Sequence, residues 1–215
     1  MFDHLISKAQ LERFYSHMGR LGVDEIRQYA KGTTGLIFKG LMGEKEVIIK
    51  LQRPDSPRHN FLREARIIRA LEPFRVTPPL IGYGAFEGLG FLIREFAQGE
   101  MILHAEIEKG HILEIVEKTA LLDRLSLDHG QIQGGKHIII GERVWLIDFE
   151  KANWRKPKNL TSAMAMLFIN DNYISRRVRE KFGVDEYFLS ELRGELRTYK
   201  RTGRLSGLLC LLSGL

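Results

Sequence analysis

Residues 124–137 read RLSLDHGQIQGGKH, and residues 144–150 read VWLIDFE. The first stretch sets an acid, a histidine and a glycine where a leucine-rich helical pattern ends, then adds two glycines and two basic residues. The second is an apolar strand pattern that runs into an acid, Asp148, twelve residues after Lys136. Charged residues and glycines make a poor core, so a chemical reason is needed for bringing Asp128 and Asp148 together. Between the two acids, KHIII and RVWLID flank Gly141 and Glu142, a tight hairpin pattern.

Working outward, ILHAEIEKGHILEIVEKTALLDRLSL (102–127) has a helical period and predicts one short and one longer helix, broken near Gly110. Residues 29–96 have a different texture. GLIFKG and EVIIKL form a hairpin turned at LMGEK, RPDSPRHN is a loop, and FLREARIIRALE puts Phe61, Leu62, Ala65, Ile68 and Leu71 on one helix face. PPLIGYGAF and LGFLIREF are strands closed by glycine, and FDHLISKAQLERFYSHMGRLG is an opening helix. From Leu160 the chain is helical and arginine-rich. Its last apolar run, LSGLLCLLSGL, is about half a membrane span and reads as a docked terminal helix.

Chemistry-bearing residues recur in this order. Gly32 and Gly35, with Thr33 and Thr34 between them, make a glycine turn whose backbone can approach a phosphate. Lys50 ends the strand VIIK, and Glu64, fourteen residues on, lies on the next helix and can pair with it. A strand into REFAQG, the loop acid, a hairpin and IDF follow. From about Tyr29 to Ala152 this order resembles the protein-kinase fold. The resemblance implies an α+β, two-lobed protein: a small β-rich N-lobe with one key helix (1–97) and a minimal helical C-lobe (98–215). It also implies ATP and Mg²⁺, with Lys50 on the α and β phosphates, Glu64 orienting it, Glu95 and Ala97 at the adenine hinge, and Asp148 on the metal. Ala30 replaces the first loop glycine, Arg94 is the gatekeeper, and Glu150 replaces the glycine of the DFG motif.

The catalytic loop admits two alignments. Matching His129 to the loop histidine puts Gln131 at the base and Lys136 at the metal-binding asparagine. Taking Asp128 as the base keeps a carboxylate for the hydroxyl proton and leaves Gln131 or His137 as second metal ligand. In kinases a histidine here packs on the DFG phenylalanine, and that role suits His129 too.

After Asp148 only 67 residues follow, without the peptide-docking elements of protein kinases. Instead Lys151, Arg155, Lys156 and Lys158 surround Trp154, and Arg176 and Arg177 come next, a pattern suited, together with the loop base Lys136, to an RNA backbone with Trp154 stacking on a base. Residues 1–150 hold 20 Lys and Arg against 21 Asp and Glu, and residues 151–215 hold 13 against 6, so the positive charge is C-terminal. With LDHGQIQGGKH and LIDFEKAN, the chain is similar to compact archaeal RIO-like kinases. Among these it resembles the archaeal tRNA kinase family, which phosphorylates the ribose 2′-hydroxyl of a uridine in the tRNA variable loop, nucleotide 47. That implies tRNA as partner. A RIO-like serine/threonine protein kinase and a pseudokinase that binds RNA or nucleotide are the other expectations. One cysteine, Cys210, and no leader pattern point to a cytoplasmic, membrane-free protein. A monomer is expected, and a composition high in Glu and Lys and low in Asn, Gln and Cys points to a thermophilic source.

Overall fold

The computed structural model describes residues 2, 4–56 and 61–215. The fold is mixed α+β, with a sheet in the N-terminal region and helices later, and it divides into two compact units, Met1–Ala97 and Gln98–Leu215.

The first unit opens with α1 (Lys8–Arg20), whose Ser7 cap accepts a hydrogen bond from Gln10 N–H. Strands β1 (Asp24–Lys31), β2 (Gly35–Met42) and β3 (Lys45–Gln52) precede α2 (Phe61–Leu71), then β4 (Leu80–Phe86) and β5 (Leu89–Glu95). They form one antiparallel five-stranded sheet in the order β1-β2-β3-β5-β4. β1 starts five residues earlier than the β-branched pattern predicts, because its alternating burial is shallow and polar residues fill its outer face. Residues 57–60 of the expected RPDSPRHN loop lie outside the described residues.

Strand periodicity sorts the side chains of the two faces. Val47, Ile49 and Leu51 of β3 join Phe91 and Ile93 of β5 in a core with Phe14 and Met18 of α1. Leu92 packs on the opposite face with Phe61, Ala65 and Ile68 of α2. Lys50, one residue from Ile49 and Leu51, therefore points to the α2 side.

The second unit contains β6 (Glu100–Met101), α3 (Lys109–Arg124), β7 (Leu127–Asp128), β8 (Ile138–Ile140), β9 (Val144–Leu146) and β10 (Asn153–Trp154). Helices α4 (Asn159–Met164), α5 (Tyr173–Phe182), α6 (Glu186–Thr202) and α7 (Ser206–Ser213) follow, with a π turn over Ala165–Ile169. β6, β8 and β9 form one sheet, and β7 pairs with β10. The apolar C-terminal run docks as α7 on α3 and α6, burying Leu208 and Leu212. Among the described residues no helix is long and apolar enough to cross a membrane.

Two expectations are corrected here. The short helix before Gly110 does not form: residues 102–105 make a turn and bend, and 106–108 have no regular structure, with Glu108 extended ahead of α3. Arg177 of α5 donates to the carbonyls of Leu103 (3.1 Å) and Ala105 (2.9 Å), occupying acceptors that a helix would use. Gly110 lies in the first turn of α3 and breaks nothing. The β8–β9 turn has three residues, because Ile140 pairs with Val144 and Gly141 N–H donates to Arg143 O.

Candidate active site

Within the first unit, Lys50 and Glu64 come together as the two-face pattern requires: Lys50 Nζ lies 2.9 Å from Glu64 Oε2 and 3.2 Å from Oε1. Both residues are buried, at 8% and 3% exposure. A buried pair of this kind is poor stabilisation, because desolvation offsets most of the attraction, so its cost suggests a use. Gly35 makes the arrangement possible. A Cβ there would stand 3.1 Å from Lys50 Cγ and 3.4 Å from Lys50 Cε, so the missing side chain is the space in which the lysine stem lies.

The turn between Gly32 and Gly35 closes through Gly32 N–H donating to Gly35 O at 2.8 Å. Thr33 is exposed and Thr34 buried. Arg53, which sequence reading missed, straps the turn to the end of β3: its side chain donates to Gly32 O (3.0 Å) and its N–H to Thr34 O (2.8 Å). At the expected hinge, Glu95 pairs with Lys45 at 2.5 Å, its carbonyl accepts from Arg94 at 3.0 Å, and Ala97 is buried.

The second unit gathers the loop residues. Asp128 stands in β7 opposite Asn153, beyond the end of α3. Its Oδ2 accepts from Arg155 Nε at 2.7 Å and its Oδ1 from Gly130 N–H at 3.2 Å. Gly130 has φ +78°, and a Cβ there would meet Lys151 O at 3.2 Å, so the loop needs glycine at this point. His129 is fully buried. Its ring lies 4.6 Å from that of Phe149, with Nε2 3.0 Å from Ile147 O. Asp148 takes the left-handed conformation (φ 66°, ψ 71°), then Phe149–Lys151 makes a 3₁₀ turn in which Glu150 is buried. His137 Nδ1 lies 3.6 Å from Asp148 Oδ2.

Burial and the nearby His137 push the His129 imidazole down to about 4, so the ring is neutral, and its Nε2 carries the proton donated to Ile147 O. The unfolded chain takes up this proton near pH 6.5 and the folded one only near pH 4. Stability therefore falls on acidification through that window, by about 3 kcal/mol from this residue. Urea unfolding of wild type and His129→Leu from pH 7 to pH 4 checks it: the advantage of wild type should shrink by about that amount. A gap that stays constant across the series would assign the proton elsewhere.

Two residues that the sequence did not single out hold this loop. Asn159, 1% exposed at the start of α4, accepts from His129 N–H (2.9 Å) and donates Nδ2–H to Leu127 O and Asp123 Oδ1 (both 2.8 Å). Asp123 also accepts from the N–H groups of Asn159 and Leu160 and from the Tyr199 hydroxyl at 3.0 Å. Burial and the Asp123 charge raise the Tyr199 pKa, keeping that hydroxyl a donor.

The donor set admits Mg²⁺. This ion takes oxygen ligands and is bound by one or two carboxylates plus substrate phosphates. Among the described residues no group of three or more His, Cys, Asp or Glu could hold a metal alone. Asp148 offers a carboxylate, and Gln131 Oε1 is a buried oxygen with no hydrogen-bond partner among the described residues. His137 offers nitrogen and suits Mg²⁺ poorly.

The expected RNA contacts divide. Lys136, Lys151, Lys156 and Lys158 are exposed, and Trp154 is 54% exposed and thus not core. The arginines are engaged: Arg155 with Asp128, Arg176 with Asp171 at 2.7 Å, and Arg177 with the 103 and 105 carbonyls and the Tyr173 ring.

No family model matches the chain. It is 36% identical over 117 residues to uncharacterized protein MJ1211 of Methanocaldococcus jannaschii, a match covering 50% of this chain and 98% of the relative. At that identity and coverage, the chain belongs to the family of this Methanocaldococcus jannaschii protein.

Proposed function

We propose that the chain is a protein-kinase-like, ATP-dependent phosphotransferase that carries the γ-phosphate to an RNA ribose 2′-hydroxyl, the acceptor being a uridine in the tRNA variable loop. The observation that carries the reading is the buried Lys50–Glu64 pair on the α2 side of the sheet, with the lysine stem lying against Gly35. A buried lysine held by a carboxylate beside a glycine turn suits a polyphosphate better than it suits packing.

In the reaction, Lys50 binds the α and β phosphates and Glu64 holds its ammonium in place. The 2′-oxygen forms a bond to the γ-phosphorus, the bond to the β–γ bridging oxygen breaks, and ADP leaves with that electron pair. Asp128 accepts the hydroxyl proton. Asp148 and Gln131 would hold Mg²⁺, which when bound neutralises charge on the phosphates. His129, neutral and wedged on Phe149, fixes the loop and exchanges no proton near pH 7. An RNA phosphate competes with Asp128 for Arg155, so substrate arrival frees the base. The exposed Trp154 supplies a stacking surface next to it.

The test is labelled ATP with tRNA, with casein, and with neither, using wild type, Asp128→Ala and Asp148→Ala. Label recovered from tRNA as a nuclease-resistant modified dinucleotide, lost in both variants, is expected. Label in casein alone would make the chain a protein kinase, and ATP binding without transfer a pseudokinase. Trp154→Ala should weaken tRNA binding by about 1–3 kcal/mol without changing the transfer rate at saturating tRNA. Unchanged affinity would remove Trp154 from the RNA face.

A further inference from the structure

The lysines around Trp154 are exposed as the sequence motif predicts, but the arginines that motif counted on are not free. Arg155, Arg176 and Arg177 are each engaged within the fold, and Arg179 is turned onto Asn170 O and Ser175. By contrast, Arg193, Arg197, Lys200, Arg201 and Arg204 are all exposed, and among the described residues their side chains have no hydrogen-bond or ion-pair partner.

Their phase is set by the fold. α6 starts at the Asp185 cap, where the side chain accepts from Phe188 N–H, and buries Leu189, Leu192, Leu196 and Tyr199. At about 100° per residue, Arg193, Arg197, Lys200 and Arg201 fall within an arc of about 100° beside that buried stripe. Arg204 is exposed just past the Gly203 cap, outside the helix. Glu191 and Glu195 lie on another side of the helix, and Glu186, which shares the side of the row, stands about two turns before Arg193, so no acid alternates with these bases within the row. Lys200 and Arg201, in the last turn, complement the helix dipole, but that effect fades within one turn. Arg193 and Arg197 lie beyond its reach and gain nothing from it.

The helix that carries the row is tied to the candidate site by hydrogen bonds from its buried side. Tyr199 of α6 donates to Asp123, which accepts from the N–H groups of Asn159 and Leu160, and the exposed Lys158 directly precedes Asn159. We infer that the exposed basic row of α6 is a phosphate-backbone track that holds the body of a structured RNA while its acceptor nucleotide lies at Asp128. Unpaired bases spaced along one helix side over about 12 Å match successive backbone phosphates, and the absence of interleaved acids argues against a mixed-charge protein face. This assignment rests on RNA being the substrate, as proposed above.

The experiment measures binding of an unmodified tRNA transcript to the full chain by fluorescence anisotropy across a salt series, without ATP. It compares wild type, Arg193→Gln/Arg197→Gln, and Arg66→Gln/Arg69→Gln, which removes the same charge from exposed positions of α2. The α6 pair should weaken binding about tenfold or more near 0.1 M salt and lower the salt slope by about 2, with unchanged melting temperature, while the α2 pair matches wild type. In the transfer assay the α6 pair should raise KM for tRNA and leave kcat unchanged. An unchanged slope, equal losses in both pairs, or stronger binding to polyglutamate than to tRNA overturns the track. Salt-dependent tRNA binding that the α6 pair weakens, with no transfer by wild type, upholds the track and sinks the kinase reading. Transfer by wild type with an unaffected α6 variant does the reverse.

Discussion

Asp148→Asn is expected to keep wild-type stability and to transfer phosphate from ATP to RNA at least about 10³-fold more slowly. The choice of asparagine follows from the backbone. Asp148 has φ 66° and ψ 71°, a conformation in which most L-residues lose about 1–2 kcal/mol but which Asn and Asp visit readily. Alanine would mix that strain with the chemical loss, whereas asparagine keeps the backbone conformation while removing the charge and turning one acceptor oxygen into a donor. The side-chain oxygen beside His137 survives, and the anion that would balance a divalent cation does not. Single-turnover transfer at saturating ATP and tRNA reads the effect, with thermal unfolding of the same sample as control. A variant that still turns over at a tenth of the wild-type rate would exclude Asp148 as the metal-binding carboxylate. The proposal would then have to move to another acid.

Local periodicity made several parts of the fold readable. In EVIIKL the apolar residues on either side of Lys50 required the lysine to face away from them, and the helix after the loop brought Glu64 to that side. His129 beside Phe149 was implied by the resemblance to kinases rather than by periodicity, and the two rings do lie 4.6 Å apart. What could not be read depended on partners far along the chain. Arg155 looked like a free base among bases, yet its partner Asp128 lies 27 residues earlier. The apolar spacing of 102–108 matched a helix, but Arg177, some 70 residues later, takes the carbonyls of that segment. The bases of RTYKRTGR were visible as composition. Their alignment into one row needed the start of α6 at Asp185, which fixes the phase of every later residue. Asn159 carried no signal, since an amide at the start of a helix ordinarily caps the N–H groups of its own first turn rather than residues some 30 positions earlier.

That amide is where the largest loss of stability is expected. Asn159→Asp keeps the shape of the side chain and the oxygen that accepts from His129 N–H, but it replaces the Nδ2 donor with a second acceptor. The new oxygen would face Asp123 Oδ1 and Leu127 O, each 2.8 Å from the present nitrogen, in a site only 1% exposed. Two carboxylates cannot both stay ionised at that separation without a donor between them, and a buried charge lacking a partner costs about 3–5 kcal/mol. The unit that holds α3 and α4 should therefore melt roughly 10 °C or more below wild type at pH 7. The like charge and burial raise the carboxyl pKa of the new aspartate in the folded state. Protonation then favours folding, and the gap to wild type should narrow as the pH falls toward 5. Asn159→Ala separates the two causes: it leaves the same two acceptors and also the His129 N–H unmet, at about 1–3 kcal/mol each, but adds no charge, so its deficit should not close on acidification. Equal pH profiles for the two variants would mean that the added charge is not what destabilises Asn159→Asp, and the loss would then fall on the unmet hydrogen bonds alone.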